Sequence, residues 1–170
     1  QKLTLMKTSA DSLKKSADAL NDSSLWEKKK IKKKDEKTGE EIEVEDYDWD
    51  KITKAVKSFV EDYNDVVKEA GESNTKDVLR NASWMTGMTD KNSNMLAKIG
   101  ITIGKGNKLE LDEDALKQAD ISSLKTVFTG YNSFVSKISQ KATGISNAAN
   151  RASATYTNNG TYSKTDSSLT

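Results

Sequence analysis

The sequence predicts a mainly α fold: an antiparallel helical bundle or coiled coil carrying a small β-hairpin at about Gly100–Leu111. A charged stretch at about Lys28–Glu45 reads either as a second hairpin or as a solvated connector. Three observations lead there. Three separate stretches place apolar residues at alternating spacings of three and four, the seam of a helix that faces a partner. The chain has no proline to interrupt them. One short region alternates apolar and polar residues on both sides of a glycine-rich turn, the pattern of paired strands.

In chain order, Leu3, Met6, Ala10, Leu13, Ala17 and Leu20 form the first seam, fading near Asn21–Ser24, and its two alanines favour close approach of a partner helix. Lys28–Lys30 and Lys32–Lys34 surround Ile31, and Glu40, Glu41, Glu43, Glu45, Asp46, Asp48 and Asp50 follow after Gly39. Ile42 and Val44 alternate with glutamates, so a hairpin turning near Asp35–Gly39 would set lysines against glutamates. Asp46 or Asp48 is placed to cap a second helix bearing Trp49, Ile52, Val56, Phe59, Tyr63, Val66 and Ala70, a stripe broadened by Val60 and Val67. Gly71 stands where a helix end takes a left-handed residue.

A shorter helix from Asn74 or Thr75 carries Val78, Leu79, Ala82 and Met85 and is expected to end near Gly87, before a loop to Asn94. Met95, Leu96 and Ile99 read as an anchoring turn. Two alternating runs then flank Gly104–Asn107 as a hairpin, and Asp112 caps a short helix, Glu113–Ala119, with Leu116 inward. Asp120–Tyr156 reads as one long helix with Asp120 and Ser122 as capping candidates. Its seam is Leu124, Val127, Tyr131, Phe134, Ile138, Ile145, Ala148 and Ala152, interrupted at Lys141, with a kink open to it at Gly130 or Gly144. Asn158-Asn159-Gly160 reads as a turn or stop. The organisation expected is one elongated domain over 1–170, with a charged insert or connector at 26–48 and a flexible tail at 157–170.

Composition narrows the function. Cysteine and histidine are both absent, which removes disulfides, thiolate chemistry, the usual general base and the commonest metal ligand. Asp112, Glu113 and Asp114 sit together, but at a helix start, where acids serve the cap and the dipole. No catalytic residue, cofactor or metal is expected. The acidic run lacks the glycine and spaced glutamate of a calcium loop. Gly100–Gly106 lacks the Gly-Lys-Ser/Thr ending of a phosphate loop, and its glycines precede a strand instead of a helix. A net charge of +1 and adjacent acids argue against reading Lys28–Lys34 as a nucleic-acid patch. No apolar run suits membrane insertion. The opening at Gln1, without a signal-peptide pattern, reads as a piece of a longer protein whose targeting segment lies elsewhere.

Val56, Phe59, Val60, Tyr63 and Asn64 form an "aliphatic-x-x-Phe-Val-x-x-Tyr-Asn" run. Leu96, Gly100 and Ile101 precede a "Leu-x-Leu-Asp-x-x-x-Leu" run at Leu109, Leu111, Asp112 and Leu116, and Val127-Phe128 follows. In this order, over about Trp49–Tyr156, the chain resembles the leg region of flagellar filament-capping proteins (hook-associated protein 2). The resemblance implies a helical leg domain with an attached β-hairpin and a structural role outside the cell, at the flagellum or cell surface. The partners it implies are flagellin-like or hook-associated subunits, or copies of the chain itself. The charged insert and the polar ending after Tyr156 depart from that pattern. Helices bearing three seams need partners, and the simplest arrangement closes all three within one chain. In the alternative, part of the last seam is left for another subunit, with Ile138, Ile145, Ala149 and Ala152 as its contact residues. A competing reading is a secreted or surface-attached adhesin on the same helical leg, using the charged projection to bind.

Overall fold

The structure is a computed structural model describing residues 2–161, with side chains to Ala154. Its frame is four antiparallel helices: α1 (Lys2–Leu20), α2 (Trp49–Gly71), α3 (Lys76–Lys91) and α7 (Phe134–Thr161). Between α1 and α2 come a 3-10 turn (Ser23–Trp26) and a hairpin of β1 (Lys29–Lys34) and β2 (Glu41–Asp46). Between α3 and α7 come α4 (Ser93–Ala97), the hairpin of β3 (Ile101–Ile103) and β4 (Leu109–Leu111), α5 (Glu113–Gln118) and α6 (Ile121–Phe128).

Cross-helix contacts fix the arrangement. Asp18 lies opposite Ser139 and Asp11 opposite Ser146, so α1 and α7 run antiparallel. Asn81 faces Gly144 and Asp77 faces Arg151, which sets α3 antiparallel to α7. A four-residue turn after α2 brings α3 back along it, with Tyr63 bonded to Thr89. The helices thus form a square in which α1 and α3 each lie between α2 and α7. All seam residues of the first helix from Met6 to Leu20 are buried, as are Ile52, Val56, Phe59, Tyr63, Val66 and Ala70 of α2. An aromatic group closes one end. Trp26 stacks on Phe128 at 5.6 Å between centroids, and Phe59 meets Phe128 and Phe134 edge-on at 6.4 and 6.3 Å. The Trp26 indole donates to the Leu20 carbonyl at 2.7 Å, so its burial leaves no donor unpaired.

Both hairpins form. Asp48 caps α2 by accepting from the Lys51 N–H, and Asp112 caps α5 by accepting from Ala115. Gly106 and Asn107 supply the positive φ of the β3–β4 turn.

Several expectations are corrected. The long helix over Asp120–Tyr156 is two helices: Gly130 takes φ +102° and the chain breaks between Phe128 and Phe134. The Asn21 side chain holds the break, accepting from the Gly130 N–H at 2.9 Å and donating to its carbonyl at 3.2 Å. Ser133 restarts the helix by accepting from the Ser136 N–H. Tyr131, assigned to the seam, lies in that break and is 84% exposed. Neither Asp120 nor Ser122 caps backbone; the Ser122 hydroxyl donates to the Asp120 carboxylate instead. The stripe on α7 passes through buried Ala142, beside the interrupting Lys141.

The third helix does not stop at Gly87 but continues to Lys91, so the expected loop is largely the end of α3, followed at once by the start of α4. Buried Met88 and Thr89 hold those turns, outweighing the roughly 1 kcal/mol cost of a helical glycine. Gly71 ends α2 without a left-handed conformation; the N–H groups of Glu72 and Ser73 close the turn on Glu69 and Ala70. The last helix runs through Asn158-Asn159-Gly160, where a stop was expected, and positions 162–170 of the expected tail lie outside the described residues.

Candidate assembly surfaces

The contact between α1 and α7 combines small side chains with a repeated polar lock. Ala10 and Ala17 on α1 and Ala142, Ala148 and Ala149 on α7 are buried. The Ser146 hydroxyl donates to Asp11 at 2.5 Å and the Ser139 hydroxyl to Asp18 at 2.7 Å, two pairs seven residues apart on each helix. Lys7 and Lys14 each reach the same aspartates from one turn earlier, at 2.8 and 2.6 Å. The Asp11 carboxyl is held below its ordinary range by hydrogen bonds from Lys7 and Ser146. Burial pushes Asp18 upward, but bonds from Lys14 and Ser139 outweigh it, and the group ends below its ordinary value. Apolar spacing alone does not reveal these aspartates. The legible signal was a Lys-x-x-x-Asp pair repeated after seven residues, at Lys7–Asp11 and Lys14–Asp18.

Ile138, Ile145 and Ala149 are fully buried, so the expectation that they stand exposed is corrected. The reason is architectural. Helix α7 is flanked by both α1 and α3, so its apolar stripe is covered from two sides. Ala152 is half-buried. It lies level with Leu5 in the α1–α7 register, and α7 continues beyond it to Thr161. At this end of the bundle Leu3, Leu5 and Met6 line a cleft of about 320 Å³ with Glu69, Glu72 and the turn at Ser73–Thr75. Leu5 is 53% exposed there, and Glu69 Oε1 is buried with no hydrogen-bond partner among the described residues. On α3, half-exposed Trp84 is covered on one side by the Lys141 ammonium, 4.2 Å from its ring centroid.

The residues that carried the resemblance have identifiable physical work. Phe59 sits at the centre of the aromatic group, and the Tyr63 hydroxyl donates to buried Thr89 at 2.8 Å. Burial pushes the Tyr63 phenol up to about 12, with the Thr89 bond opposing and the Asp90 charge adding. Asn64 acts as a strand partner: its amide donates to the Leu109 carbonyl at 3.0 Å and its oxygen accepts from the Leu109 N–H at 2.7 Å. That clamp fastens the β3–β4 hairpin to α2. Gly100 then packs so tightly on α5 that an added Cβ would lie 2.7 Å from the Asp112 carbonyl oxygen.

Residues 72–170, more than half of the chain, match the family model described as Flagellar hook-associated protein 2 C-terminus. The chain belongs to this family. The match takes in α3 through α7, including Leu96, Gly100, Ile101 and the Leu109–Leu116 run. The Val56–Asn64 run, α1 and the charged hairpin precede it. No curated protein and no solved structure gives a significant match. Among the described residues no helix is long and apolar enough to cross a membrane.

Proposed function

We propose that this chain is a structural piece of a flagellar filament-cap subunit, acting outside the cell where the cap meets flagellin-like or hook-associated subunits. The observation that carries the reading is the family match over residues 72–170. The packing supports a mechanical role. Helices α1 and α3 each pack between α2 and α7, and two asparagine clamps, Asn21 on Gly130 and Asn64 on Leu109, hold the loops to the bundle. Contact with neighbouring subunits is assigned to the end of the bundle that carries the Leu3–Met6 cleft and Ala152 on α7, a surface combining exposed Leu5 with a Glu69 acceptor that has no partner among the described residues.

The test is genetic. Removing the coding region from its bacterium should leave cells with short or absent filaments and filament protein shed into the medium. Restoring it should return filament length. Filaments of normal length in the deletion strain would overturn the proposal.

A further inference from the structure

The β1–β2 hairpin has two free edges of opposite charge, and we infer that it joins copies of this chain head to tail, β1 of one copy pairing with β2 of the next. Its register sets Lys30 opposite Glu45, Lys32 opposite Glu43 and Lys34 opposite Glu41. One step nearer the turn, the Asp35 N–H donates to the Glu40 carbonyl at 2.7 Å, which makes Asp35 and Glu40 a bonded pair. Bonded and non-bonded pairs alternate along an antiparallel ladder. The backbone groups of Lys30, Lys32 and Lys34 therefore point outward from β1, and those of Glu41, Glu43 and Glu45 point outward from β2. Among the described residues no third strand lies beside either edge.

The side chains are equally free. All six are exposed, and none has an ion-pair partner within 4.0 Å among the described residues; the hairpin's ion pair is Lys33–Asp46, on the opposite face. An edge strand rich in lysine ordinarily repels other strands of its kind. Here the second edge carries the complement. Like edges, β1 on β1 or β2 on β2, would set three like charges opposite one another, which disfavours a two-fold contact. Opposite edges give a continuing sheet in which each lysine row lies between glutamate rows. Such a contact is heterologous and builds a ring where the rotation closes, or an open row where it does not. The inference stands on the hairpin and does not require the filament-cap reading.

The experiment is sedimentation of the whole chain over a wide concentration range at low salt and at 1 M salt, where the screening length is about 3 Å. Mass should rise with concentration at low salt and return to monomer at high salt. A charge-swapped chain, with Lys30, Lys32 and Lys34→Glu and Glu41, Glu43 and Glu45→Lys, keeps the pairing inside its own hairpin. It should self-associate like the parent, since each of its edges still meets its complement on the next copy. The variant Lys32→Pro removes one outward N–H while sparing the inward bonds, and should weaken association at least several-fold. A chain monomeric throughout at low salt would overturn the inference, as would a swapped chain that stays monomeric where the parent associates. Association unmoved by Lys32→Pro would overturn the strand pairing.

Discussion

Replacing Gly100 with alanine tests whether the β3–β4 hairpin is seated on the bundle as described. Gly100 has φ +93°, a conformation that costs an L-residue roughly 1–2 kcal/mol. Its new Cβ would meet the Asp112 carbonyl oxygen at 2.7 Å and the Leu116 nitrogen at 3.0 Å, both backbone atoms that no rotamer change can move. The hairpin would have to lift from α5, stretching the 2.8 Å bond from the Asp112 N–H to the Gly100 carbonyl, a bond contributing about 1 kcal/mol. The sum is a loss of about 2–4 kcal/mol, which lowers Tm by roughly 5–15 °C for a domain of this size. Gly87→Ala is the matched control. Gly87 lies in α3 and an added Cβ meets nothing within 4 Å. That change should stabilise the fold by about 0.5–1 kcal/mol through helix propensity alone. Thermal unfolding followed by circular dichroism reads both. Equal Tm values for Gly100→Ala and the parent, or a lower Tm for Gly87→Ala, would refute the reasoning.

Three further outcomes follow from the same packing. Phe59→Ala, which empties the middle of the aromatic group, should cost about 3–5 kcal/mol in urea unfolding. Asn64→Leu leaves the Leu109 N–H and carbonyl without the clamp, at about 1–3 kcal/mol for each group left buried, and should speed hydrogen exchange at the Leu109 amide. Asp11 and Asp18 are depressed in the folded state, so their contribution is complete above the ordinary aspartate value and is lost as pH falls through the lowered one. Stability measured in urea should therefore drop below about pH 4, and the drop should flatten in a Ser139→Ala, Ser146→Ala double variant.

Where apolar periodicity sets the buried face, the sequence was readable: the seams of α1 from Met6 to Leu20 and of α2 from Ile52 to Ala70 are buried as their spacing required, and the charged stretch was legible as lysines facing glutamates across a turn, though not in its register. It was less readable where tertiary bonds decide local structure. The break at Gly130 depends on Asn21, 109 positions away, and no local pattern distinguishes it from helical Gly144. At Gly144 the same lack of a side chain serves a different end, making room for the Asn81 amide, 2.6 Å from where a Cβ would stand. The extension of α3 past Gly87 rests on Thr89 beneath Tyr63, again a contact between helices. Ile138, Ile145 and Ala149 were read as exposed because a seam shows that a helix has a partner but not which one. Here α1 and α3 cover them. The surface left at Ala152 and the Leu3–Met6 cleft follows from how the helices are stacked, information that periodicity does not hold.

The proposed role puts this chain at one place, the tip of a flagellar filament. Gold-labelled antibody against this chain, imaged by electron microscopy on intact cells, tests it most directly. Gold is expected at the distal ends of filaments, one cluster per filament. Gold spread over the cell body, or along the filament shaft with bare tips, would contradict it.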